Sequence, residues 1–326
     1  MSANFSHNPY KLAGPARVEI NDVAPRDGLQ IEPVVVPTHG KVAFVNALSH
    51  CGFARIEATS FTSAKAIPAL ADAEAVMHQI ERVPGVRYTV LVPNLRGLER
   101  ALSCHPDEVN LVMSTSETHN RANLRMTREQ SRAQLLAMIA EAGRAGVPVN
   151  VSLSTVFGCP FEGEVSVEDV MGFAQTFADA GAAGITLCDT TGMAYPNQVA
   201  ALCEDFQKRL PDTGLTIHLH NTRGMGLANA MAAWQTGVTR FDAAAGGLGG
   251  CPYAPGASGN VSTEELVHMF ASMGVETGVD LGALLDVVAS LPALVERDIS
   301  SQLLRAGPRL RTHQPPAWMA EHFQGQ

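Results

Sequence analysis

No stretch of this sequence reaches the roughly 18 consecutive apolar residues that a membrane-crossing helix needs. The nearest, 279–295, is interrupted by Asp280, Asp286 and Pro292 and reads as a packed helix. Cysteine is sparse and unpatterned: Cys51, Cys104, Cys159, Cys188, Cys203 and Cys251, with no CxxC. That spacing excludes a disulfide framework and predicts reduced thiols in a cytoplasmic protein. Positive charge is short as well, with 23 Lys and Arg against 32 Asp and Glu and a formal net charge of −9. A phosphate-backbone binder would carry a basic stripe, so neither nucleic acid nor a membrane is expected as a partner. Residues 1–16 show no apolar core and no Arg-rich amphipathic pattern, so no signal or transit peptide is expected there. No GxGxxG follows the first strand-like run, which argues against an open doubly wound sheet with a nucleotide crevice.

What is present is a rotation of short β-branched runs and longer amphipathic stretches. The runs are 17–23, 55–61, 87–92, 108–114, 147–155, 184–189, 215–220 and 238–243. Helical patterns such as 38–51, 127–145, 166–180 and 196–210 lie between them, opened by Ser, Thr or Pro. Gly52, Gly146, Gly181 and Gly237 each close one shortly before the next strand. Hydrophobic residues make up 46% of the chain, enough to cover a large core. Eight unbroken strand–helix units predict an α/β fold of the closed (β/α)8 TIM-barrel type. The expected divisions are an N-terminal tail over 1–16, a catalytic barrel over 17–275, and a C-terminal helical extension with a loose tail over 276–326.

Barrels of this kind carry their chemistry at the C-terminal strand ends, and the polar oddities collect there. Arg26 and Asp27 follow the first strand, Glu57 lies in the second, Asn94 follows the third, and Ser116 and Glu117 the fourth. Asp189 ends the sixth, and His218 and His220 end the seventh. Two residues apart on a strand, the histidines share a face while Ile217 and Leu219 take the other. Two readings follow: a hydrogen-bonded polar layer inside the barrel, or a pair of metal ligands. The acidic and amide groups around them favour the second. Asp27 can add a charged oxygen and Asn260 a neutral one. Two nitrogens and two oxygens suit Mg²⁺ or Mn²⁺ and would accept Co²⁺ or Zn²⁺. A two-His-one-carboxylate iron site is the other possibility for such a set, but no residue calls for oxygen chemistry.

The segment 243–260, AAAGGLGGCPYAPGASGN, is rich in glycine and small residues, with Cys251 near its middle. It reads either as a plain surface loop or as a water-excluding lid that brings a thiol to the catalytic face, and the second is preferred. Cys159, in FGCPFEG, is the other thiol of interest. Cys188 is expected to point away from Asp189 into the helix layer, and Cys51 and Cys203 to lie in helices. His39, His50, His78, His268 and His313 read as helix or tail residues rather than ligands.

Six motifs carry a resemblance: NDVAPRDGLQ (21–30), IEATSF (56–61), LVPNLRG (91–97), FGCPFEG (157–163), HLHNTRGMGLAN (218–229) and GGLGGCPYAPGASGN (246–260). Together they are similar to 3-hydroxy-3-methylglutaryl-CoA lyase, in the same order over 18–285. The resemblance implies retro-Claisen cleavage of a 3-hydroxy-acyl-CoA, giving acetyl-CoA and, for the namesake substrate, acetoacetate. It implies Asp27, His218, His220 and Asn260 as metal ligands and Arg26 as the cation facing the thioester carbonyl. Glu57 would hold Arg26 or other groups of the site, Asp189 and the pair His218 and His220 are the candidates for moving the hydroxyl proton, and Cys251 would protonate the departing carbon or belong to the relay that does. Gln30 and Asn94 would contact the bound acyl-CoA. A homodimer and a place in leucine catabolism are implied with them. The chain departs from animal forms of the lyase at Ile31 and Pro33, and at Asn221 and Arg223. These changes leave the acyl group open, with citramalyl-CoA or a longer-branched 3-hydroxyglutaryl-CoA as alternatives. A condensing synthase of the same superfamily would lack the cysteine loop, and a non-catalytic barrel would have no need of the whole set.

Overall fold

In the computed structural model, residues 13–250, 259–316 and 319 are described. Eight parallel strands close into a barrel in sequence order, β1 pairing with β8. They are β1 (Glu19–Asp22), β2 (Arg55–Ser60), β3 (Arg87–Val92), β4 (Glu108–Ser114), β5 (Val149–Ser154), β6 (Gly184–Asp189), β7 (Gly214–Leu219) and β8 (Arg240–Ala243). Helices α1 (Thr38–Ser49), α2 (Ala73–Gln79), α3 (Leu95–Leu102), α4 (Glu117–Leu124) and α5 (Arg128–Arg144) follow the first four strands. Then come α6 (Val167–Asp179), α7 (Pro196–Arg209), α8 (Gly226–Gln235) and α9 (Thr263–Met273). Beyond them, α10 (Leu281–Val295) packs against α1 and α9, and α11 (Gln302–Ala306) against α9 and α10. Among the described residues no helix is long and apolar enough to cross a membrane.

Strand alternation sorts the side chains into two cores. Val109, Leu111, Val151, Leu153, Ile185, Leu187, Ile217 and Phe241 are buried and meet the helix ring. Their neighbours one residue away, including Asn110, Asn150, Thr186, Thr216 and Asp242, line the barrel interior. That interior is polar. Its floor holds the ion pairs Arg55–Glu108 (3.2 Å) and Arg240–Glu19 (3.8 Å) around a cavity of about 20 Å³. A polar lumen is stable only where its groups pair with one another. Here Asn150 donates to Asn110 and to the Thr186 hydroxyl at 2.9 and 2.8 Å.

Strand ends shift slightly from the sequence reading, for reasons of pairing. Arg17 makes only an isolated bridge to Glu276, so β1 starts at Glu19. β7 stops at Leu219, which puts His220 one residue beyond the strand. Where α1 gives way to β2, Gly52 takes φ 89°, and a Cβ there would collide with the carbonyl of Gly278. The glycine thus lets the C-terminal extension lie against the barrel.

Candidate active site

Three pieces of chain converge at the C-terminal mouth: the turn after β1, the end of β7, and the segment returning after residue 258. Asp27 sits in a single helical turn, Ala24–Gly28, directly after β1. His218 points inward from β7, and an antiparallel bridge to Asn260 keeps His220 beside it. Flanking hydrogen bonds hold that bridge, Val261 N–H to Leu219 O and Asn221 N–H to Gly259 O, both 2.9 Å. The return path needs Gly259 at φ 103°, where a Cβ would run into the carbonyls of Gly247 and Gly249. Glycine therefore delivers Asn260 to the site.

One donor atom from each of Asp27, His218 and His220 lies within 4.8 Å of the others, and the imidazole centroids are 5.2 Å apart. Asn260 donates through Nδ2 to Asp27 Oδ2 (2.8 Å) and to Leu248 O (2.9 Å). Among the described residues its amide oxygen Oδ1 is left buried without a partner, as is Nδ1 of His220. Orphaned buried polar atoms cost free energy, and a divalent cation is the ligand that would satisfy them here. The protonation states agree. Burial alone would raise Asp27, but Arg26 and then the two histidines outweigh it and hold the carboxyl near 2. Burial, reinforced by the charge of His218, pushes His220 down to about 3, so its imidazole is neutral and can donate a lone pair.

Arg26 lies alongside. Its Nε donates to Glu57 Oε2 at 2.5 Å and its Nη1 to Asp27 Oδ1 at 2.6 Å. Among the described residues this leaves Nη2 for a ligand. Glu57 sits at a register shift between β2 and β3, and burial raises its carboxyl while Arg26 pulls it down. Its other oxygen accepts from Asn110 Nδ2 at 2.9 Å, and Asn110 Oδ1 accepts from Asn150 and Ser152, each at 2.9 Å. The guanidinium is thus fixed through a ladder reaching across β2, β4 and β5.

Arg26, Asp27, Glu57, His218, His220 and Asn260 form one cluster. Asp189 stands on the adjoining strand end with Oδ1 accepting the amides of Met193 (2.7 Å) and Ala194 (3.1 Å). Burial lifts it to about 6 against those amides and the charge of His218. Gln30 is half-buried beyond the turn and Asn94 is exposed on the rim, where its side chain caps α3 by accepting from Gly97 N–H at 2.9 Å; neither bonds to the cluster. Ser116 caps α4, and Glu117 pairs with Arg121 and Arg128 rather than with the site. Arg223 is exposed at the mouth, but its Nη1 is taken by the carbonyls of Thr191 and Gly192. Cys251 lies outside the described residues. Cys159 is buried, with its thiol on the Ser116 hydroxyl at 2.9 Å.

One expectation is overturned. Cys188 does not enter the helix layer; it pairs in register with inward His218 and shares a face with Thr186 of the lumen. Its thiol lies 3.7 Å from the Thr186 carbonyl, and burial and then the charge of Asp242 push it well up. The sequence reading also missed Asn110 and Asp242. The signal was available: polar residues at alternate positions of otherwise apolar strands, the same pattern that marked the histidines.

A nearby buried imidazole gives a stability test. His119 of α4 bonds through Nδ1 to the Ser114 hydroxyl at 2.7 Å and lies 6.1 Å from the Phe161 ring. Burial depresses it from 6.5 to about 4. The folded state therefore prefers the neutral ring, whose stabilisation is complete above pH 6.5 and is lost as pH falls through 4. A fall of that size corresponds to at most about 3 kcal/mol. Denaturant titrations from pH 7 to 4 should show wild type losing stability faster than His119→Leu by up to that amount. Parallel curves would mean that the ring protonates freely in the folded protein.

Fold and site together define a (β/α)8-barrel enzyme with a divalent-cation type of cluster at its catalytic mouth. A family model described as HMGL-like matches residues 17–290, and the chain belongs to that family. It is 44% identical over 301 residues to an (R)-citramalyl-CoA lyase of Chloroflexus aurantiacus, covering 89% of this chain and 95% of that one. It is 43% identical over 291 residues to a hydroxymethylglutaryl-CoA lyase of Bacillus subtilis, covering 89% and 97%. Among solved structures, an HMG-CoA lyase of Acinetobacter baumannii in complex with coenzyme A and 3-methylmalate superimposes with a TM-score of 0.89. That protein is 47% identical, over 94% of this chain and 100% of its own.

Proposed function

We propose that this carbon–carbon lyase cleaves 3-hydroxy-3-methylglutaryl-CoA to acetyl-CoA and acetoacetate, using Mg²⁺ or Mn²⁺. The observation that carries the reading is the cluster of Asp27, His218, His220 and Asn260 with the Arg26–Glu57 pair against it. In the retro-Claisen reaction the C3 hydroxyl loses its proton, the C2–C3 bond breaks, and C3 becomes a ketone carbon. The bonding electrons pass to C2 as a thioester enolate, which takes up a proton to give acetyl-CoA. Asp27, His218, His220 and Asn260 would hold a divalent cation, which would supply Lewis acidity to the substrate's oxygens. Arg26 offers Nη2, unpaired among the described residues, to the enolate oxygen where charge develops, with Glu57 and Asn110 keeping the guanidinium in place. Asp189, at the end of β6, takes the hydroxyl proton, with His218 beside it as a cation ligand. Protonation of C2 falls to Cys251. Gln30 and Asn94 bind the acyl-CoA at the rim. We propose a cytoplasmic homodimer acting in leucine breakdown as its setting.

A second reading has comparable support. The citramalyl-CoA lyase relative is as similar as the hydroxymethylglutaryl-CoA one, 44% against 43%. The rim also differs where an acyl group would enter: Ile31 is exposed beside Glu32, which Arg297 pins at 2.5 and 2.7 Å. Changes of that size shift preference between homologous acyl groups by about 1–3 kcal/mol. The deciding measurement is kcat/KM for 3-hydroxy-3-methylglutaryl-CoA, citramalyl-CoA and a longer-branched 3-hydroxyglutaryl-CoA with Mg²⁺ present. The proposal expects the methylglutaryl substrate to lead. No detectable cleavage of it, with turnover of citramalyl-CoA, would establish the second reading instead.

A further inference from the structure

We propose that Asp242 is a positioning residue that sets the tautomer and orientation of His218 for cation binding. This rests on reading Asp27, His218, His220 and Asn260 as cation ligands. Strand register puts three polar side chains on one rung of the lumen: Asn21 of β1 opposite Asp242 of β8, and Asp242 opposite His218 of β7. Within the rung, Asn21 Nδ2 donates to Asp242 Oδ1 at 2.9 Å, and His218 Nδ1 lies 3.2 Å from Asp242 Oδ2. Both Asp242 and His218 are buried.

A neutral imidazole binds a cation through one nitrogen and must carry its proton on the other. The carboxylate of Asp242 accepts only, so it selects the tautomer with hydrogen on Nδ1 and leaves the Nε2 lone pair for the cluster. Asn21 holds the far oxygen, so the carboxylate has one orientation available. Among the described residues His220 has no such partner; its Nδ1 is buried and unpaired, and its backbone bridge to Asn260 fixes it. The two histidines are therefore not equivalent. One is oriented by a side-chain relay along two adjacent strands, the other by its own backbone. Asn110 belongs to a separate arm of the lumen, reaching Glu57 and Arg26.

The test measures Mn²⁺ binding to the metal-stripped full-length protein by the electron-paramagnetic signal of free Mn²⁺, with long-range ¹H–¹⁵N correlations reading the His218 tautomer. Asp242→Ala should weaken Mn²⁺ binding about 10- to 100-fold, the usual cost of losing the partner behind a ligating histidine. It should also abolish the single Nδ1–H tautomer of His218. Asp242→Asn, which still offers an amide oxygen to Nδ1–H, should recover most of the affinity. Thr89→Ala disturbs the same lumen but neither this rung nor the arm that reaches Arg26, and should bind Mn²⁺ within about twofold of wild type. Folded Asp242→Ala that binds Mn²⁺ as wild type does and keeps the tautomer would overturn the proposal. If Asp242→Ala does not fold, Asn21→Ala frees the carboxylate without removing it; a mixed His218 tautomer there supports the proposal and an unchanged one overturns it. Failure of the wild-type protein to bind Mn²⁺ is a different result and removes the cation reading itself.

Discussion

Stripping divalent cations with a chelator is expected to abolish turnover, and adding Mg²⁺ or Mn²⁺ back should restore it. Lewis-acid help at a developing carbonyl is worth several kcal/mol, so the stripped enzyme should lose about 10³-fold or more. His220→Ala sharpens the test. It removes one of four donors, so cation affinity should fall by about 10²-fold or more, beyond the loss of an outer partner. The barrel should survive, because His220 lies past the end of β7 and its bridge to Asn260 is made by backbone. Calorimetric titration of the stripped protein with Mn²⁺, alongside circular dichroism, checks both halves. Full activity in excess chelator would remove the cation from the mechanism.

Replacing Arg26 with lysine should lower kcat by about 10²–10³ with little change in KM, because one preorganised donor at a developing oxyanion is worth that much. Lysine keeps the charge but cannot copy the fork, which in Arg26 places Nε on Glu57 and Nη1 on Asp27 and still has Nη2 to offer. Asp27 should also lose part of the interaction that holds its carboxyl down near 2. Steady-state kinetics at saturating Mg²⁺ separates the two effects: a loss confined to kcat marks the oxyanion role, whereas a loss relieved by more Mg²⁺ marks damage to Asp27. An Arg26→Lys enzyme within about fivefold of wild type would mean that charge alone, without the fork, suffices.

The periodic features were the readable ones. Eight strands and the helices between them follow from hydrophobic repeats of two and 3.6 residues, and glycines mark where helices stop. The face shared by His218 and His220 follows from the same arithmetic, since their separation is counted within one strand. Asn260 enters as a neutral oxygen donor by residue type, and the resemblance to a family of lyases adds it to the ligand set. Nothing local links it to a histidine 40 positions earlier. The structure makes the link through backbone pairing of residues 259–261 with the end of β7.

Local counting failed where the phase of a strand mattered. Alternation says that Cys188 and Asp189 face opposite ways but not which one faces in. The pairing of Cys188 with His218 decides it, and that register is a contact between two strands. Alternation could mark Asn110, Asn21 and Asp242 as polar lumen residues, but each takes its role only through a partner on another strand. By itself, then, the sequence determined the barrel, the mouth that carries chemistry and the pair of histidines, all of which depend on short-range periodicity. The tertiary structure alone decided which polar residues face the lumen and how they are wired, because closing the barrel fixes the register of every strand at once.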